Sequence, residues 1–181
     1  WGREWTGRPS RPRPEVIGWR RYLGFSTDHK VVGVQYLVTF IVVLLLGGAL
    51  AMLIRIELIG PGKDLLEAGA FNEIMSLHGI LMVAVAVAAI LGGFGNYLVP
   101  LMIGAEDGAV PRLNALSYWR IPPVAVALLL APLVGSFDAG WTSYPPLSEV
   151  NGSGQMLFLL GVITFGLSSI LGGLNFIATI V

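Results

Sequence analysis

Residues 76–119 read SLHGILMVAVAVAAILGGFGNYLVPLMIGAEDGAVPRLNALSYW, and this stretch decides the fold. A histidine, His78, opens a long apolar run. An amide, Asn96, stands near its far end, and a turn carrying Glu106 and Asp107 follows. The two polar residues are roughly 18 positions apart, which is five turns and about 27 Å of ideal α-helix. An apolar segment of that length crosses the hydrocarbon core of a bilayer. The run is therefore expected to be a membrane helix with His78 and Asn96 on one face at its opposite ends.

The rest of the composition agrees. Hydrophobic residues make up 55 % of the 181-residue chain and charged residues 12 %, and the mean hydropathy is +0.76. Soluble domains carry about a quarter charged residues, so the pattern points to a polytopic all-α membrane bundle. With no cysteine, disulfide scaffolds and thiolate-ligated metal sites are excluded. The formal net charge is zero, and no nucleic-acid partner is expected. The chain starts at Trp1, and a further segment is expected to precede it.

Working outward, residues 1–30 are rich in Arg and Pro and read as a basic, extended arm. Trp19, Tyr22 and Phe25 beside Arg20 and Arg21 have the character of interfacial anchors. Residues 31–54 are uncharged and form the first span, closed by Arg55, Glu57 and the Gly60-Pro61-Gly62 breaker. The second apolar run, 74–105, exceeds one span, so a turn is expected at Pro100. A third span is expected over 120–137 with a kink at Pro132, and a fourth over 155–181. The domain division is thus a basic arm, 1–30, and four transmembrane helices, 31–181. Three Gly-Gly pairs, at 47–48, 92–93 and 172–173, are read as close-packing points. With the N-terminus inside, Arg3, Arg8, Arg11, Arg13, Arg20, Arg21, Lys30, Arg112 and Arg120 lie on the inner side. Arg55 and Lys63 lie on the outer side. That excess sets an N-in orientation.

The chemistry-bearing residues follow from this topology. His78 lies one turn inside an apolar span, where an imidazole needs a partner. A helix–helix hydrogen bond and a metal or haem ligand both satisfy it. Below it Met82, Val85, Ala89, Gly92 and Asn96 form a face of modest side chains, suited either to packing or to a flat macrocycle. Arg55 reads as a snorkelling or salt-bridged arginine, or as an inward donor to a cofactor. Asp107 with Asn96 and Asn114 reads as a solvated acid or as a group ordering water for proton uptake. The adjacent carboxylate of Glu106 is expected to raise a pKa by like-charge repulsion. His29 and Tyr36 share a face two turns apart, and Ser168 and Ser169 put hydroxyls midway along the fourth span.

The stretches STDHKVVGVQY, LIRIEL followed by GPG, LHGILM, GGFGNYLVPLMIGAEDGAVPRLNALSYW, GWTSYPPLS and SSILGGLNFIATI occur in one order from 26 to 181. In them the chain resembles subunit I of the haem-copper oxidases, of the cytochrome c oxidase kind, over the first four of its twelve transmembrane helices. The resemblance implies that His78 is an axial ligand of a low-spin haem, of the haem a type, and that Arg55 bonds its formyl group. Asp107 becomes the mouth of a proton pathway. Asn96, Asn114, Tyr36, Ser168 and Ser169 line that pathway, and His29 lies at its entrance. Trp141 lies near the haem propionates, and Glu57 with Gly62 holds sodium or calcium in some members. The family pattern differs at Glu106, at Ala115 and at the Gly108-Ala109-Val110 run.

The implied protein is a proton-pumping terminal oxidase that takes electrons from cytochrome c and reduces oxygen to water. Quinol oxidase of the same fold, or a short non-catalytic membrane scaffold, are the alternatives. The second haem and the copper belong to family regions beyond Val181. The implied partners are the remainder of subunit I, subunits II and III, cytochrome c and membrane lipid. The implied location is the bacterial plasma membrane or the mitochondrial inner membrane, with the N-terminus on the cytoplasmic or matrix side.

Overall fold

A computed structural model describes residues 18–62, 65–135, 137–150 and 152–181, and every regular element among them is helical. Most of the arm expected over 1–30, with Arg3, Arg8, Arg11 and Arg13, lies outside the described residues, as does Lys63.

Helix α1, His29–Glu57, begins where the Asp28 side chain accepts from the backbone N–H of Lys30, satisfying one of the free donors of the first turn. The chain before it forms a short 3-10 turn, Trp19–Tyr22. Gln35 ties this turn to α1 by donating from Nε2 to the carbonyls of Tyr22 and Gly24. Trp19, Leu23 and Phe25 remain exposed beside it, the arrangement expected of side chains at a membrane surface.

The second run departs from expectation twice. Helices α2, Ala68–Ile80, and α3, Val87–Ile103, are joined without a break by a π-helical stretch, Leu81–Ala86, giving one candidate span of 36 residues. A π insertion shifts the helix phase by about 100° for each added residue. The ideal-helix spacing between His78 and Asn96 is therefore altered, although His78 meets Gly47 of α1 and the Asn96 carbonyl meets His29 of α1. Nor does the chain turn at Pro100. The helix passes through it and stops at Gly104, which is left-handed at φ 73°. There Ala105 N–H bonds Pro100 O and Gly104 N–H bonds Leu101 O, a glycine stop that satisfies the last carbonyls. A proline removes one ladder bond, and a helix tolerates this when the freed carbonyl finds another donor.

The third span begins earlier than the sequence suggested. Helix α4, Pro111–Trp119, and helix α5, Ile121–Val134, form a candidate span of 24 residues. Glu106, Asp107 and Arg112 made the α4 segment read as a connection. The break at Arg120 follows from Pro122 and Pro123, which cannot donate to the carbonyls of Tyr118 and Trp119. Pro132 falls in the closing turn of α5. A four-residue helix α6, Leu147–Val150, precedes α7, Ser153–Ile180.

Helix α1 packs along α3 and the π stretch, while α7 packs along α5 and α4. At Gly33 the backbones approach so closely that an added Cβ would stand 2.9 Å from Tyr97 Cβ and 3.0 Å from the Gly93 carbonyl. The shared core runs from Val32, Tyr36 and Val43 of α1 through Val85 and Ala89 to Leu128 and Phe158. Outside it Leu45, Leu91, Leu133 and Ile163 are exposed, as suits helices whose outer faces meet lipid or further membrane helices. The molecule is a four-span helical bundle of a multi-pass membrane protein.

Candidate functional site

Two polar centres stand at opposite ends of α1. At its C-terminal end, His78 of α2 reaches across to α1. Its Nδ1 lies 2.9 Å from the carbonyl oxygen of Gly47. A carbonyl only accepts, so Nδ1 carries the proton and Nε2 holds the lone pair of the neutral ring. Such an Nδ1–H···O=C bond is the usual way a protein fixes the tautomer of a ligating imidazole. The Trp141 ring rests against Gly79, where an added Cβ would meet its Cδ1 at 2.8 Å. The loop that brings Trp141 there is held from both sides. Phe137 N–H donates to Glu73 Oε1, and Gln155 Nε2 donates to Ser143 Oγ.

The face below His78 is not a slot for a macrocycle. Met82 packs at Gly47, Gly92 packs at Tyr36, and Val85 and Ala89 are buried. Arg55 is exposed on the last turn of α1. Glu57 is buried, and its Oε2 accepts from the backbone N–H groups of Leu65 and Leu66. Gly62 is exposed with φ 124°. No group of three or more His, Cys, Asp or Glu side chains converges among the described residues, so a cation there would draw on backbone oxygens beside Glu57.

At the N-terminal end of α1, His29 is 2 % exposed and its Nδ1 lies 2.9 Å from the carbonyl oxygen of Asn96. Here too Nδ1 donates and Nε2 carries the lone pair. The Asn96 side chain is buried and donates from Nδ2 to the Gly92 carbonyl. Asp107 lies in the connection between α3 and α4, its Oδ1 accepting from the N–H of Gly108. Burial pushes its carboxyl above the usual range, and the charge of Asp28 adds to the rise. The Gly108 amide and the nearby His29 oppose it. A like charge that bears on Asp107 is thus Asp28, far from it in sequence. Asp28 itself is pushed up by burial. The Lys30 amide and the Arg21 guanidinium outweigh this and hold it below its ordinary value.

Between the centres lies a buried file of hydroxyls. Ser117 donates to the Asn114 carbonyl, so Tyr36 must donate to Ser117 Oγ, at 3.0 Å. Ser168 donates to the Ser117 carbonyl. The side-chain amide atoms of Asn114 are buried with no protein partner, which suits a position completed by water. The structure thus brings Tyr36, Asn114 and Ser168 together. Ser169 is exposed and stands apart from them.

Sequence reasoning missed Ser117, the hub of this file, although it stands three residues after Asn114 on α4. It also missed Asn175 and Thr179. These accept from the amides of Val110 and Ala109 and seat the Asp107 connection on α7. An amide deep in an uncharged run was the signal for Asn175.

A model of the cytochrome c and quinol oxidase polypeptide I family matches residues 31–181. The chain belongs to that family. It is 48 % identical over 169 residues to cytochrome c oxidase subunit 1 of Thermostichus vulcanus, covering 92 % of this chain and 31 % of that protein. It is 45 % identical over 163 residues to cytochrome c oxidase subunit 1 of a Synechocystis species, covering 90 % of this chain and 30 % of that protein. The chain therefore spans about a third of the length of the relatives it matches. The family match takes in His78, Asn96, Asp107 and the hydroxyl file, and begins just after His29.

Proposed function

We propose that this chain forms the first four membrane helices of subunit I of a proton-pumping cytochrome c oxidase. In this reading it supplies one axial haem ligand and the mouth of a proton pathway. The observation that carries the reading is the His78–Gly47 bond, which leaves Nε2 unprotonated for a metal. A haem iron requires this: a neutral imidazole, one tautomer, and a ring held from its far side. When bound, the haem supplies one-electron transfer.

This chain's own part is positioning and proton access. His78 holds the ligand nitrogen, and Trp141 closes the loop over Gly79 beside it. Arg55 is assigned to the haem formyl group, and the haem is of the a type. Glu57 and Gly62 are assigned to a sodium or calcium ion. The other centre takes up protons. Burial favours the protonated form of Asp107, so it binds a proton at a higher pH than an exposed carboxylate does. It passes the proton toward the file of Asn96, Asn114, Tyr36, Ser117 and Ser168, with Ser169 on the outer face of the same helix turn. His29 stands at the mouth. The N-terminus lies on the cytoplasmic or matrix side, where the basic arm belongs. The remainder of subunit I, subunits II and III and cytochrome c complete the assembly.

The test is a reduced-minus-oxidised spectrum of the purified complex carrying His78→Ala. Loss of the low-spin haem band is expected, and an unchanged band would refute the ligand assignment.

A further inference from the structure

The proline inside α3 and the buried histidine of α1 form one device. In an α-helix the carbonyl of residue 96 accepts from the N–H of residue 100. Residue 100 is Pro100, which has no N–H. The Asn96 carbonyl is therefore without its ladder donor in the middle of a helix, and it is the atom His29 Nδ1 meets at 2.9 Å. The histidine replaces the missing amide. The His78–Gly47 bond differs: residue 51 is Ala51, whose N–H remains to share that carbonyl.

The exchange has a chemical consequence. A carbonyl that has lost its ladder amide and takes the His29 Nδ1–H in its place requires Nδ1 to be protonated in both charge states of the ring. Every proton gained or lost must then use Nε2. Among the described residues, Asp28 with the Arg21 paired to it and Asp107 from the connection stand at this end of α1, Lys30 follows His29 in sequence, and Tyr97 of α3 packs at Gly33 one turn on. Over Val87–Ile103, α3 presents no charged side chain.

We propose that Pro100 is a positioning residue for proton uptake. By withholding the amide that would occupy the Asn96 carbonyl, it locks His29 as the Nδ1–H tautomer. Nε2 then becomes the only proton-exchanging atom of that ring beside Asp107. This rests on the reading of the Asp107 mouth as the proton entrance.

The experiment uses the complete oxidase with Pro100→Ala, His29→Gln and the double variant. Alanine restores the ladder amide and suits a helix better than proline, so the variant folds. Glutamine at 29 keeps an N–H donor for the carbonyl but cannot exchange protons. In Pro100→Ala, proton uptake is expected to slow about fivefold, the equivalent of one net hydrogen bond. The infrared signature of the Nδ1–H tautomer, read with ring-labelled histidine, is expected to weaken. The double variant is expected to match His29→Gln, because Pro100 acts through the histidine.

Additive losses in the double variant, or an unchanged tautomer signature in Pro100→Ala, would overturn the proposal. The same cycle read by thermal unfolding separates the two levels. Coupling in unfolding with no effect of any variant, Asp107→Asn included, on uptake refutes the entrance reading and with it the role given to Pro100, while leaving the bond established. No coupling in either readout refutes the device itself.

Discussion

The two ends of α1 use the same bond for different ends. Each holds a buried or half-buried imidazole by an Nδ1–H···O=C contact of 2.9 Å to a neighbouring helix, leaving Nε2 as the lone-pair atom. What differs is the surrounding chemistry. Around His78 the neighbours are Gly47, Met82, Gly79 and the Trp141 ring, none of them charged. Around His29 stand Asp107, Asp28 and the Arg21 ion pair, the charged setting that the proposed proton entrance calls for. In the proposed reading the two imidazoles are held alike and are told apart by whether titratable partners share the pocket.

The comparison can be broken at several strengths. The largest effect is expected from Asp107→Asn, which removes the acid at the proton end: turnover and proton uptake should fall about 10²-fold, with the low-spin haem spectrum unaltered. Turnover at the parent rate would remove Asp107 from the pathway. Next comes Gly33→Ala. It forces α1 from the Gly93 carbonyl and Tyr97 at the His29 end only, and should cost about 1–3 kcal/mol as overpacking against backbone. Thermal unfolding of the complex reads this, and an unchanged midpoint would contradict the close approach.

Thr179→Val deletes the acceptor for the Ala109 amide. Hydrogen exchange at that amide should rise about fivefold, the equivalent of one net hydrogen bond, while Thr179→Ser restores it. The smallest effect is expected from Asp28→Asn, since asparagine still caps α1. Burial raises the folded pKa of Asp107, so the stability tied to its protonated form is present at low pH and is lost as pH rises through the folded value. Removing the Asp28 charge should move that window to lower pH. A carboxyl infrared titration, referenced to Asp107→Asn, reads the shift, and a shift to higher pH would contradict it.

Much of this was legible in the sequence because lipid imposes simple rules. Uncharged runs gave α1 and α7 to within a few residues, and His78 stood out as a polar group where an apolar one is expected, whereas Asp107 in its turn also read as a solvated acid. The phase of the second span was not legible, since nothing in LMVAVA distinguishes a π stretch from an α-helix of the same residues. Pro100 read as a break because propensity is local, whereas the donor that rescues its helix comes from His29 on another helix. Helix α4 was hidden because Arg112 at its start read as part of a connection. Nor was the main origin of the Asp107 shift legible, since burial and the Asp28 charge both come from packing.

The assignment of the two histidines can be tested side by side in the complete oxidase. Electron paramagnetic resonance of the oxidised complex, with haem stoichiometry, should show the low-spin ferric signal abolished in His78→Ala and retained in His29→Ala. Survival of that signal in His78→Ala, or its loss in His29→Ala alone, would contradict the account.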